Sequence, residues 1–170
     1  MIKRITAIAA LVALLLGLAV APASASASAT MTFQQIYSSQ SGKCITVHGG
    51  GSTNGTDIDI YTCLNNWNQR WYFAPYHLNG LTYYYIEGEE SGKCVTVRGG
   101  STSNQARLEL WECLEQGNQI WYIGYGPNQT QYFTGYDSGK AITVYGGYTA
   151  NNTPLEIYDY LGQTNQRWFW

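Results

Sequence analysis

Three blocks of 31 residues repeat along the chain, and they constrain its fold more than any other feature. The blocks begin at Ser41, Ser91 and Ser138, align without a gap, share the same residue at 12 positions and each end in Asn-Gln-x-Trp. Repeated sequence at a fixed spacing is the signature of repeated structural units. We therefore expect one domain over residues 30–170, built from three similar units that cover approximately residues 30–77, 78–126 and 127–170.

The pattern within each block is typical of β-strands. In the first block Ile45 and Val47 alternate with their neighbours, as do Ile58 and Ile60, and a Gly- and Asn-rich stretch with turn chemistry lies between them. Each unit also carries a strand-like segment before its block and one around Gln-x-Trp; the predicted segments are 32–37, 82–86, 131–136 and, in the first block, about 69–73. Four strands per unit predict an all-β domain of about twelve short strands, closed in a threefold arrangement that leaves no edge exposed.

Residues 1–29 have the layout of a secretory signal peptide. Lys3 and Arg4 precede an almost unbroken apolar run, 5–20, and small-residue cleavage sites follow it. The run is shorter than the roughly 20 residues that a spanning helix needs. We therefore expect a secreted, extracellular protein with no membrane segment after cleavage, and a monomer.

Charge and composition narrow the function classes. Residues 30–170 contain seven Lys and Arg against eleven Asp and Glu, so no basic face is available for nucleic acid. Fifteen Tyr and six Trp suit a surface that contacts sugars or protein partners. Strand-rich proteins favour aromatic residues in any case, so composition alone leaves both interpretations open.

The four cysteines stand in two pairs, and the members of each pair are 19 residues apart. The third unit has Ala141 and Tyr160 at the equivalent positions, so both partners are absent together. This paired loss predicts two disulfide bonds within units, Cys44–Cys63 and Cys94–Cys113. With two His and no Cys-x-x-Cys pair in the chain, we expect no metal site.

The repeated motifs resemble those of the ricin B-type lectin domain over nearly all of residues 30–170. They are Ser-Gly-Lys-Cys, a Gly-rich turn, an aromatic residue before the second Cys, and Asn-Gln-x-Trp. The resemblance implies a β-trefoil with up to three shallow sugar pockets, one per unit. It also implies that the Gln side chains hold neighbouring backbone and that three tryptophans pack in the core: Trp71, Trp121 and Trp168.

In that family the sugar is held by an Asp before the Val of the first motif, by the aromatic residue and by the Asn of the last motif. The aromatic residue is present in all three units, as Tyr61, Trp111 and Tyr158. The Asn is present as Asn68, Asn118 and Asn165. The Asp is replaced by a threonine in every unit, at Thr46, Thr96 and Thr143.

Three other acids are candidates to replace that Asp. Strand alternation places Asp59, Glu109 and Glu156 on the same face as the aromatic residue two positions later. A carboxylate accepts two charge-assisted hydrogen bonds from sugar hydroxyls, and we expect the threonine hydroxyl to join the same patch. The alternative is that these acids are solvated strand residues near Lys43, Lys93 and Lys140. The second unit is the first choice for a site, because Trp111 offers the largest aromatic face.

The pattern does not favour catalysis. Catalysis needs unlike groups in one cleft, whereas the acids here repeat once per unit, so we expect no enzyme, no catalytic residue and no cofactor. The sequence predicts a carbohydrate-binding, lectin-like module whose partner is a glycan or polysaccharide. The alternative is a trefoil that binds a protein, as an inhibitor or interaction module; Tyr145 and Tyr148 suit either partner.

Overall fold

The computed structural model describes residues 31–170, which form one compact unit; the predicted signal peptide lies outside the described residues. Twelve strands are present, as predicted: β1 (Tyr37–Ser38), β2 (Cys44–Val47), β3 (Thr56–Tyr61), β4 (Trp71–Leu78), β5 (Leu81–Gly88), β6 (Cys94–Val97), β7 (Ala106–Trp111), β8 (Trp121–Tyr125), β9 (Gln131–Gly135), β10 (Ala141–Val144), β11 (Thr153–Tyr158) and β12 (Trp168–Phe169).

The helical elements are short. Seven 3-10 turns of three residues each occur in the described part of the chain, at His48–Gly50, Trp67–Gln69, Arg98–Gly100, Gly117–Gln119, Pro127–Gln129, Tyr145–Gly147 and Thr164–Gln166. None of the helices within residues 31–170 has the length and apolar character needed to cross a membrane.

The strands form one closed antiparallel sheet. Each unit contributes a hairpin from its second and third strands, β2–β3, β6–β7 and β10–β11. The third strands then pair with one another as β3–β7, β7–β11 and β11–β3, so the three hairpins close a triangle. The first and fourth strands pair across unit boundaries, as in β4–β5, β8–β9 and β1–β12. The fold is the predicted β-trefoil.

The three tryptophans of Gln-x-Trp are fully buried, as the resemblance implied. Each indole N–H donates a hydrogen bond to a backbone carbonyl of its own unit, at 3.0, 3.0 and 3.4 Å to Ile45, Val95 and Ile142. Ile, Leu and Val from the hairpins pack around them. The polar edge of each indole is thereby satisfied inside the core, where an unpaired N–H is unfavourable.

One asparagine per unit ties the hairpins together around the threefold axis. The side-chain carbonyl oxygens of Asn54, Asn104 and Asn151 accept hydrogen bonds from the backbone N–H groups of Glu112, Asp159 and Thr62. Each acceptor belongs to one unit and each donor to the next, so the three bonds form a ring. This asparagine is among the positions that are identical in all three blocks, and its role explains that identity.

The identical Gly-Gly pair has a conformational cause. Gly49 and Gly50 follow β2 with φ angles of 61° and 70°. L-residues with a side chain rarely adopt this left-handed region, whereas glycine does so without steric penalty. The equivalent glycines of the other units have the same positive φ.

The strand bounds differ from the predicted ones in the first unit. β1 contains only two residues rather than 32–37, although Gln34 forms an isolated bridge with Trp71. The fourth strand begins at Trp71 and extends to Leu78. Gln69 lies in the preceding 3-10 turn because its side chain binds nearby backbone: its carbonyl oxygen accepts from Leu64 N at 2.7 Å and its amide donates to Thr62 O at 2.9 Å.

Both predicted disulfide bonds are present, and no cysteine of the described residues is free. In the third unit Ala141 is buried, while the half-exposed ring of Tyr160 stacks on Tyr132 with centroids 4.1 Å apart. In that unit the packing of Tyr160 on Tyr132 thus takes the place of the disulfide bond.

Candidate functional site

Each unit contains one pocket at the equivalent place, between its second and third strands and its Asn-Gln-x-Trp turn. The cavities measure about 220 Å³ in the first unit, 530 Å³ in the second and 780 Å³ in the third. In the first unit an adjoining cavity of about 380 Å³ shares Asn68. All three are lined by the same five kinds of residue, namely a Thr, an acid, an aromatic residue, a Leu and an Asn, so every predicted carbohydrate-contacting residue lies in a pocket.

The register of the hairpins explains how the predicted residues meet. Each acid lies directly opposite the threonine of the neighbouring strand, as Asp59 does opposite Thr46 and Glu156 opposite Thr143. The aromatic residue two positions later lies opposite the cysteine, or Ala141 in the third unit. Acid and aromatic side chain therefore share one face of the hairpin, as strand alternation predicted.

The threonines line the pockets, but their hydroxyls bind protein groups. The Thr46 hydroxyl donates to Cys44 O at 2.9 Å and accepts from the Gln69 amide at 3.1 Å, and the residue is buried. Thr96 and Thr143 have the same contacts with their own Gln. The hydroxyl hydrogen is used inside the protein, so the threonine has none to donate to a ligand and belongs to the fold.

The asparagine of each pocket forms a hydrogen bond with the backbone at the end of the second strand of its unit. One amide hydrogen of Asn68 is donated to Val47 O at 2.9 Å, and Asn118 and Asn165 bind Val97 O and Val144 O at 3.0 and 3.2 Å. This bond fixes the orientation of each half-buried amide at the pocket wall. The remaining polar atoms of the amide have no protein partner among the described residues, so they are available to a ligand.

The acids are not solvated strand residues, which was the alternative prediction. Asp59, Glu109 and Glu156 are only 2%, 6% and 3% exposed. The lysines proposed as their neighbours bind elsewhere: Lys43 to Asn151, Lys93 to Glu112 and Lys140 to Asp159. The Gln side chain of each unit binds the threonine that lies opposite the acid.

The carboxylates of the first two units have basic partners. The Asp59 carboxylate lies 2.7 Å from His48 Nδ1, and its other oxygen is buried without a partner. Burial raises the pKa of Asp59, and the His48 contact opposes that rise. Glu109 accepts from Arg98 Nε at 2.7 Å, and Arg98 Nη2 also donates to Asp57 at 2.6 Å. These hydrogen bonds raise the pKa of the Arg98 guanidinium above its usual value.

The carboxylate of the third unit has no such partner. Glu156 Oε2 is buried and accepts no hydrogen bond from the described residues. Arg107, on the strand paired with β11, lies opposite Glu156, but its guanidinium stacks on the Tyr145 ring at 4.2 Å. Burial raises the pKa of Glu156, and the charge of Arg107 partly offsets that rise. A buried acceptor without a partner is unfavourable unless something binds it.

Two sets of pocket residues were not predicted from the sequence. Neighbouring units line each pocket: Asn152 reaches the first, Asp137 the second, and Gln40 with Gln105 the third. The residue before each Gly-Gly pair, His48, Arg98 or Tyr145, lies beside the acid. It could have been noticed as a variable position between identical neighbours in all three blocks.

The described residues offer one group of potential metal ligands. Atoms of Glu87, Cys94 and Cys113 lie within 4.8 Å of one another. Both sulfur atoms belong to the disulfide, so they are not the thiolates that bind metal.

The sequence profile of the ricin-type β-trefoil lectin domain matches residues 32–168. The chain belongs to the ricin-type β-trefoil lectin family. The motifs that suggested the resemblance are thus those of the family, and the replacement of the family Asp by threonine is a departure within a true member. No curated protein sequence matches the chain at a significant level.

Solved structures of ricin-type lectins and related trefoils share the fold. A designed threefold-symmetric protein, ThreeFoil, superposes with a TM-score of 0.76 at 26% identity, over 80% of this chain and 95% of that one. A Macrolepiota procera ricin B-like lectin, solved in complex with lactose, has a TM-score of 0.68 at 18% identity, over 84% and 96%. An exo-β-1,3-galactanase from Clostridium thermocellum has a TM-score of 0.77 at 23% identity, over 82% of this chain but 30% of the enzyme.

Proposed function

We propose that this ricin-type lectin binds glycans through its three pockets, without catalysis. The observation that carries the proposal is the convergence, in one pocket per unit, of a buried carboxylate, an aromatic face and an oriented Asn amide. A pyranose presents an apolar face that can stack on the aromatic ring, and hydroxyls that can donate to the carboxylate and bond to the amide.

The third unit is proposed as the strongest site, ahead of the second unit that Trp111 suggested. Its cavity is the largest of the three, and Glu156, which lines it, has a buried carboxylate oxygen without a protein partner among the described residues. Tyr158, Tyr145 and Tyr148 surround it with aromatic surface. In the second unit Trp111 keeps its stacking face, 37% exposed, but the carboxylate beside it is already bound to Arg98.

Three shallow sites on one rigid domain favour extended ligands. A polymer that engages a second pocket gains affinity without a new kind of contact, because the second event is intramolecular. We therefore expect a polysaccharide or clustered glycan to bind more tightly than a free monosaccharide.

A glycan array followed by titration of three variants tests the proposal. Glu156→Gln keeps the shape but removes the charge, and Tyr158→Ala removes the aromatic face; each should weaken binding of the array ligand about tenfold or more. Tyr125→Ala is the matched aromatic control, because Tyr125 is 80% exposed and lies outside the three pockets. Binding that survives both pocket variants, or is lost in the control, contradicts the assignment.

Binding of a protein is the second candidate function, and one surface favours it. A groove of about 370 Å³ shares no lining residue with the three pockets and is lined by Leu81, Tyr83, Tyr122 and Tyr136. Its tyrosines pack edge to face. If the array shows no glycan bound at any concentration tested, this alternative takes precedence.

Secretion is part of the same proposal. Two disulfide bonds suit an oxidising compartment outside the cytosol, and the N-terminal 29 residues have the layout of an export signal. N-terminal sequencing of the protein recovered from culture medium tests both points.

A further inference from the structure

We propose that the residue following the valine of β2, β6 and β10 — His48, Arg98 or Tyr145 — determines whether the carboxylate of that pocket can accept a sugar hydroxyl. The inference rests on the proposed glycan binding and makes the three sites unequal. The third pocket should bind most tightly, the first less tightly and the second most weakly.

The three positions are equivalent, so their differences are informative. Each follows the valine that ends its strand and precedes the Gly-Gly pair, within a hairpin whose register is the same in all units. The backbone therefore delivers each side chain to the same place relative to the acid. What differs is the chemistry delivered there: an imidazole, a guanidinium or a phenol.

In the second unit the guanidinium binds one oxygen of the carboxylate. Arg98 Nε lies 2.7 Å from Glu109 Oε2, and its Nη2 lies 2.6 Å from Asp57. A carboxylate already paired with a cation is a weaker acceptor for a neutral hydroxyl, because the ligand must compete with a charge-assisted bond. Trp111 then offers stacking without the hydrogen bond that fixes sugar orientation.

In the third unit the side chain does not pair with the acid. Tyr145 packs against the Arg107 guanidinium at 4.2 Å and against Tyr148 with ring centroids 6.0 Å apart. It makes no hydrogen bond with Glu156 among the described residues, and Glu156 Oε2 stays unpaired. The stacking also holds Arg107, which would otherwise be the natural partner of the carboxylate across the β7–β11 pair.

In the first unit His48 takes one oxygen and leaves the other. Nδ1 lies 2.7 Å from Asp59 Oδ2, whereas Oδ1 is buried without a partner. His48 and Arg98 each bind one oxygen of their acid, but the Arg98 guanidinium is a permanent cation that is also held by Asp57. The order of affinity for a neutral sugar is therefore third, first, second.

The residue opposite the acid on the neighbouring strand also sets the charge around the acid, so the test variants must change it as well. Arg107 lies opposite Glu156, and Asp57 lies opposite Glu109. The single change Arg98→Tyr would leave Glu109 beside Asp57 without a cation. The double variant Asp57→Arg/Arg98→Tyr instead gives the second unit the surroundings of the third, and Arg107→Asp/Tyr145→Arg does the reverse.

The experiment is a ¹H–¹⁵N NMR titration with a panel of neutral mono- and disaccharides that includes lactose and N-acetylgalactosamine. The Trp111 indole N–H reports on the second pocket, and the amides of Gly146 and Gly147 report on the third. In the wild-type protein we expect shifts at the third pocket first. In Asp57→Arg/Arg98→Tyr the Trp111 indole should respond with roughly tenfold tighter binding, and in the reverse variant the third pocket should weaken by a similar factor.

The outcomes separate this inference from the proposed function. Sugar binding that depends on Glu156 but keeps its wild-type distribution in both double variants overturns the inference and leaves the function standing. A wild-type protein that binds none of the panel overturns both. Tyr125→Phe is the control outside the three pockets, because Tyr125 is 80% exposed and lines none of them, and it should bind like the wild type. Retained spectral dispersion in each variant shows that the domain is folded.

Discussion

Replacing Glu156 by Gln should stabilise the protein at neutral pH, although it should weaken ligand binding. The carboxylate is 3% exposed, and its Oε2 has no partner among the described residues. An unsatisfied buried polar group destabilises the folded state by about 1–3 kcal/mol. The neutral amide removes the charged part of that penalty, and nearby Arg107 already offsets some of it, so we expect a gain of about 1 kcal/mol, or roughly 3–5 °C in Tm for a domain of this size.

The pH dependence of that gain identifies its cause. Burial raises the pKa of Glu156 in the folded protein, so the folded state holds the proton more tightly than the unfolded chain, whose Glu has a pKa of about 4.3. Proton binding by Glu156 then stabilises the folded wild-type protein fully below that pH, and this stabilisation is lost as the pH rises through the folded-state pKa. The Tm advantage of Glu156→Gln should therefore disappear below about pH 4, where the wild-type carboxyl is protonated.

Glu109→Gln is the matched control, because the same substitution is made at the equivalent position of the second unit. It removes an ion pair with Arg98 instead of an unpaired charge, so the Tm should fall by a few degrees. Thermal unfolding followed by near-UV circular dichroism between pH 3 and 8 measures both. A Glu156→Gln protein that is less stable than the wild type at neutral pH, or a Tm difference that does not change with pH, would refute the argument.

Two further predictions concern the fold. Replacing Cys94 and Cys113 by Ala should lower the free energy of unfolding by roughly 3 kcal/mol, the entropic value of a loop of about 20 residues, as denaturant unfolding would measure; an unchanged midpoint would contradict it. Trp121→Ala should lower the free energy of unfolding by about 3–5 kcal/mol because the indole is fully buried. Trp111→Ala at the pocket rim should change the Tm little. Equal losses of stability in the two variants would show that Trp111 is part of the core.

The fold could be predicted because its causes are local and repeated. Alternating apolar residues, a Gly-Gly turn and a buried Gln-x-Trp recur in each block, so every strand and disulfide has two further copies or a matched absence as support. The first strand and the start of β4 were less predictable. The start of β4 follows the turn in which the Gln69 side chain binds backbone, and alternation carries no signal for that contact.

The residues that line the site could be predicted from the sequence, but the charges that surround its acids could not. The acid, aromatic and Asn positions follow from strand alternation and the family motifs. The charges that face the acids from the paired strand do not, because Arg107 lies opposite Glu156 and Asp57 opposite Glu109 only through pairing between different units. Residues about 50 positions apart in sequence become neighbours on closure of the threefold sheet, and no periodicity within one block specifies which charges meet.

The division between identical and variable positions separates what holds the fold from what differs between the sites. The Gln, the buried Trp, the Gly-Gly pair and the Asn ring make the same contacts in all three units, so the backbone of each pocket is the same. Differences between pockets then come from few side chains: the residue after the valine, the acid, the aromatic residue and the one on the paired strand. Because these lie outside the shared contacts, they can vary without disturbing the sheet. In this threefold fold Glu156 is unpaired among the described residues, whereas His48 and Arg98 bind the acids of the other two units. The unpaired carboxylate therefore lowers the free energy of unfolding through one pocket only.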